Sequence, residues 1–231
     1  MDPRKLYIDQ RHAAFCVYCG GHPSTREHVP SKVLLDEPFP PNLPVVGSCK
    51  SCNNGYSKDE EYFAVAVECA ACNSVDPNAL QRASVARKLR ESPSLATRIS
   101  YAVKQSDLGG AILVKLENDR VVRVLMKLAR GHVAYEFGES VLDDPSERWV
   151  GTLAEMSIGS REKFESPPLP ILFPEIGSRA FSRMFALKES KSSPHDWQVL
   201  QEGRYRYLVS PSPFIVRLVV SEYLAAEFRW D

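Results

Sequence analysis

Four cysteines stand in two CxxC pairs, Cys16-Val17-Tyr18-Cys19 and Cys49-Lys50-Ser51-Cys52, and the stretch between them carries Arg26-Glu27-His28. Two thiolate pairs satisfy a tetrahedral zinc ion, and the loop joining them, though longer than the commonest zinc-finger spacing, can fold back so that the pairs meet. The second pair runs directly into Asn53-Asn54. A carboxylate beside a histidine, with asparagines downstream, is a residue set that can hold a hard divalent metal and activate water against a phosphodiester. Zinc held by four cysteines has no open position, so it is structural and the chemistry falls to a second ion. Mg²⁺ takes oxygen ligands and keeps several waters, which suits one carboxylate and one amide oxygen completed by phosphate. A neutral imidazole accepts a proton near pH 7, which suits His28.

The order Cys16-x-x-Cys19, Glu27-His28-Val29-Pro30, Asn42-Leu43, Cys49-x-x-Cys52-Asn53 resembles the HNH nucleases with a ββα-metal fold, in their zinc-ribbon form. The resemblance spans roughly residues 13 to 63. It implies a metal-dependent endonuclease in which His28 is the general base and Glu27, where Asp is commoner, holds catalytic magnesium or manganese together with Asn53. It also implies that Asn42 steadies the loop and orients the histidine. The longer Glu27 side chain leaves direct or water-mediated ligation open. A helix starting near Ser57 would let either Asn53 or Asn54 reach the metal, and Asn53 is preferred because it abuts the cysteines. The implied partner is nucleic acid, with DNA favoured over RNA, in a restriction, phage-defence or mobile-element setting. A non-catalytic zinc-ribbon module that docks nucleic acid or protein is the competing reading.

These residues need a frame, and the pattern predicts an α+β chain. A zinc-stabilised ββα module over residues 1–75 is expected to precede an α+β domain over residues 76–231. Ser57 with its following acids starts a helix running toward Cys72, and Asp76-Pro77 breaks it. Cys69 and Cys72 lie near its end and read as packed apolar residues rather than ligands. Helical spacing recurs over residues 78–90, 95–103 and 118–137, with a strand over 111–116. Residues 138–174 read as loop. Strand-like runs then cover residues 180–187, 197–201, 204–209, 214–220 and 223–230, and suggest an antiparallel meander.

The 231 residues are 44% apolar, enough for a buried core, and no segment approaches a membrane-spanning run. The absence of a leader-like N-terminus predicts a cytoplasmic protein whose six cysteines stay reduced. The 29 basic and 29 acidic residues cancel, so any phosphate-binding surface must be local. Two clusters suggest themselves: Arg82, Arg87, Lys88, Arg90 and Arg98, then Arg120, Arg123, Lys127 and Arg130. The alternation Arg204-Tyr205-Arg206-Tyr207 offers stacking and phosphate contacts to a single strand, or the ordinary solvent face of a sheet.

Overall fold

The computed structural model describes residues 14–41, 43–106, 118–168, 178–181, 197–211 and 213–231. Its first unit is a hairpin of β1 (Thr25–His28) and β2 (Val45–Ser48), paired antiparallel with Thr25 opposite Ser48 and His28 opposite Val45. One residue later α1 (Lys50–Ala71) begins. Its start is seven residues ahead of Ser57 because Cys49 serves as the N-cap, its sulfur accepting the Cys52 N–H at 3.3 Å. The far end closes on Asn73, whose φ of 47° sets a left-handed cap. The amides of Asn73 and Ser74 reach back to the carbonyls of Ala70 and Cys69.

Three further helices follow: α2 (Ala83–Glu91), α3 (Pro93–Ser106) and α4 (Asn118–Phe137). The helix expected over residues 78–90 begins late because Asp76 turns the chain, accepting the Asn78 amide on its side chain and the Ala79 amide on its carbonyl. The strand expected over residues 111–116 lies outside the described residues. Residues 138–174 are not all loop: β3 (Glu147–Thr152) and α5 (Ile158–Glu165) lie there. Neither carries an amphipathic signature, since β3 is mostly exposed and α5 buries only Phe164.

The chain ends in β4 (Gln198–Gln201), β5 (Tyr205–Ser210), β6 (Phe214–Val220) and β7 (Leu224–Trp230). They form the expected meander, and β3 adds to the far edge to give the antiparallel order β3-β7-β6-β5-β4. Of the strand expected over residues 180–187, only Ala180 and Phe181 are described, and both are helical. Among the described residues no helix is long and apolar enough to cross a membrane.

Helix α4 lies between the zinc-side unit and the sheet. Buried residues on both sides of it, from Cys16 and Val29 to Phe228 and Trp230, belong to one contiguous apolar cluster. Gly131 permits the closest approach: a Cβ there would stand 2.7 and 2.9 Å from the two γ-carbons of Val29 and 3.2 Å from the Tyr18 hydroxyl. A β-branched valine has little freedom to yield. Gly131→Ala is therefore expected to destabilise, because overpacking of about 1–3 kcal/mol exceeds the roughly 1 kcal/mol gained in helix propensity. Urea unfolding checks this, and a stabilised variant would refute the packing argument.

The expected phosphate-binding clusters are largely spent on internal pairing. Arg82 is buried and donates to Asp36 at 2.7 Å and to the carbonyls of Val33 and Leu35. Arg120 and Arg123 grip Asp59, each at 2.6 Å, and Arg130 holds the carbonyls of Leu142 and Asp143. Nor is the Arg-Tyr alternation a stacking platform. Tyr205 and Tyr207 are buried toward α4, where their rings flank His132. Arg204 pairs with Asp36 and Glu68, and Arg206 with Glu165 and Glu222. Strand alternation put the tyrosines on the core face and left the arginines facing acids on neighbouring segments.

Candidate functional site

Both cysteine pairs sit in tight turns. In the first, the amides of Cys19 and Gly20 fold back to the Cys16 carbonyl, and Gly20 supplies the φ of 72° that the turn requires. In the second, the first turn of α1 carries Cys52 back over Cys49. The β1–β2 pairing then brings the two turns together. The sulfurs of Cys16, Cys19, Cys49 and Cys52 all lie within 4.8 Å of one another, with Cys19 and Cys49 at 3.9 Å. A tetrahedron of sulfurs at the usual Zn–S distance has an edge of about 3.8 Å, so the cluster fits a structural zinc ion.

The electrostatics agree with that fit. Burial works against ionising Cys16, yet hydrogen bonds from the backbone of Cys49, Tyr18 and Cys19 and from the Cys19 thiol draw it down to about 7. Burial and the neighbouring thiols of Cys49 and Cys19 push Cys52 up. Four crowded sulfurs resist ionising together, and a dication among them removes that resistance. Among the described residues this is the only group of three or more His, Cys, Asp or Glu side chains placed to hold a metal.

Cys69 and Cys72 stand apart from it. Cys69 is fully buried in the core and burial pushes its thiol up to about 12, while Cys72 donates to Glu68 at 3.7 Å. Cys69→Ser is expected to leave the metal content at about one zinc per chain. Elemental analysis showing its loss would reassign the ligands.

Beside the cluster, Asn53 occupies the first turn of α1, and its amide nitrogen donates to the Thr25 hydroxyl at 3.2 Å and the Arg26 carbonyl at 3.4 Å. The helix start at Lys50 thus places Asn53 against β1, and its amide oxygen accepts no hydrogen bond among the described residues. Asn54 is exposed. His28 ends β1 and is half-buried, with Nδ1 inside. Asn42 lies outside the described residues.

Glu27 makes contacts that the motif does not announce. It is buried on the face of β1 turned to α1, and its Oε1 accepts from Lys127 at 2.9 Å and from Ser31 at 3.4 Å. Lys127 also pairs with Glu60, which accepts from Ser31 as well. Burial raises the Glu27 carboxyl above its ordinary value, and the Lys127 ammonium opposes that shift. Glu60 lies two helical turns beyond Asn53, roughly 10 Å along α1. Glu27 Oε1 is therefore committed to Lys127 and Ser31, which hold it in one cluster with Glu60. Only the second carboxylate oxygen of Glu27 accepts no hydrogen bond among the described residues.

Lys127, Glu60 and Ser31 are the site-side residues that sequence reasoning missed. The sequence groups Lys127 with the neighbouring cations, and its one signal of burial is that it interrupts the apolar stripe of Val124, Leu125 and Leu128. Its Nζ also lies 5.2 Å from the ring centre of Tyr56 and 5.8 Å from that of Tyr18. Compared with protein-family models, with curated proteins and with solved structures, the chain matches none of them, so its functional reading rests on the geometry of its own residues.

Proposed function

We propose that this chain is a metal-dependent endonuclease of the HNH type that hydrolyses phosphodiester bonds in nucleic acid, with DNA the favoured substrate. The observation that carries the reading is the cysteine-pinned hairpin and helix, which sets His28 at the end of β1 and Asn53 beside that strand in the first turn of α1. In this reading Nε2 of His28 takes a proton from the attacking water, since Nδ1 is buried. Asn53 offers its amide oxygen, and Glu27 its second carboxylate oxygen directly or through water, to Mg²⁺ or Mn²⁺. Such a cation, when bound, neutralises charge on the phosphate and its leaving oxygen. Two protein oxygens do not make a closed cage. Mg²⁺ sites commonly recruit substrate phosphate and water for the remaining positions. Asn42 orients His28 by resemblance alone.

Cleavage of plasmid DNA is expected only when Mg²⁺ or Mn²⁺ is added beyond the bound zinc. A nicking assay with and without chelator decides it, and unchanged cleavage after the loosely held metal is removed would point to other chemistry. One observation favours the competing non-catalytic module: the pairing of Glu27 with Lys127, which commits one oxygen of that carboxylate to an internal ion pair. That reading predicts one zinc per chain and no cleavage with any divalent metal.

A further inference from the structure

Most of the arginines among the described residues are already paired. Arginine after arginine is tied to a carboxylate, as in Arg82, Arg120, Arg123, Arg204, Arg206 and Arg217. Lys88 pairs with Glu61, and Arg90 donates to Asn78. Of the first cluster expected to grip phosphates, Arg87 is thus left with no such partner, and the second cluster is consumed by pairing and carbonyl contacts. Arg26 and Lys50 share with Arg87 the lack of such a partner and differ from it in lying beside the hairpin and the start of α1. Both are exposed, and among the described residues neither side chain has an ion pair or a hydrogen bond.

Their placement is not arbitrary. Arg26 and His28 are two residues apart on β1, so their side chains leave the same face of the strand roughly 7 Å apart. Arg26 stands opposite Gly47, whose lack of a side chain leaves the guanidinium uncovered across the hairpin. Strand β1 is paired by β2 on one edge only, and at its other edge the Arg26 carbonyl accepts the Asn53 amide at 3.4 Å. Lys50 lies three residues before Asn53 on α1, a spacing that puts the two Cβ atoms about 5–6 Å apart. Arg26 and Lys50 are therefore each a close neighbour of one proposed active-site residue. The Arg26 backbone joins the two pairs.

We infer that Arg26 and Lys50 are backbone-phosphate contacts that hold a nucleic-acid strand across the open edge of β1. The ligand class rests on the nuclease reading, and the placement of the cations is independent of it. A desolvated cation costs free energy when buried, so a strand-binding surface has to be built from cations that no acid has claimed, and these two qualify. Arginine at position 26 adds a planar fork that matches two phosphate oxygens.

The test is binding of the full-length, zinc-loaded chain to labelled duplex DNA, without added magnesium, across a series of salt concentrations. Arg26→Ala and Lys50→Ala should each flatten the plot of log affinity against log salt by about 0.9, and the double variant by about twice that. Arg26→Lys should restore most of the slope, because the charge returns. Circular dichroism and zinc content confirm that each variant is folded. An unchanged slope in both variants, an equal fall in Arg148→Ala on β3, or a wild-type chain whose binding ignores salt would each overturn the inference. Cleavage is scored separately. A wild-type chain that never cuts DNA but shows these slopes loses the nuclease reading and keeps the phosphate contacts.

Discussion

Cys49→Ser is expected to lose the bound zinc and with it the folded hairpin and the start of α1. The substitution is informative because serine is a good N-cap and keeps an acceptor for the Cys52 amide, so helix capping survives while the thiolate is removed. What is lost is the metal. Two strands of four residues do not hold together in water by pairing alone, whereas structural zinc supplies an apparent ~10–16 kcal/mol at neutral pH. That exceeds or rivals the ~5–15 kcal/mol of net stability typical of a whole domain. Because Tyr18 and Val29 pack against Gly131, the loss should propagate into α4 and lower the thermal midpoint of the entire chain. Elemental analysis and thermal unfolding read both effects. Wild-type zinc stoichiometry in Cys49→Ser, set beside loss in Cys69→Ser, would overturn the ligand assignment.

His28→Ala is the second large effect, and it should separate chemistry from folding. The side chain is half-buried at the end of β1 and is none of the four sulfur ligands, so the variant should keep its zinc and its secondary structure. Cleavage should nevertheless fall by at least about 10²-fold, the low end for removing a general base. A cation bound at Asn53 does not replace the lost base, so raising magnesium should not restore the rate. Turnover equal to wild type would end the catalytic claim for His28, and with it the strongest argument for an enzyme.

The zinc cluster was legible in the sequence because its information is local. Two CxxC pairs each make their own turn, and one antiparallel hairpin is enough to bring four sulfurs within 4.8 Å. The last four strands were legible for the same reason, since period-two alternation and Gly203 or Ser-Pro turns lie in adjacent residues. The strand β3 was not, because an edge strand is mostly exposed and leaves no alternation to read.

What only the tertiary structure decided was the use of charge. Glu27 and Lys127 are separated by 100 residues, and Asp36 and Arg204 by 168, so no spacing rule connects them. Composition counts a guanidinium as a surface cation until folding places a carboxylate beside it. Packing of α4 between hairpin and sheet made Lys127 a buried partner of one Glu27 oxygen, a contact that the motif does not announce. The ligand types and their local order are therefore written in the sequence. Which oxygen atoms and which cations stay unpaired was decided by long-range ion pairing, because a buried charge must find its counter-ion wherever the fold puts one.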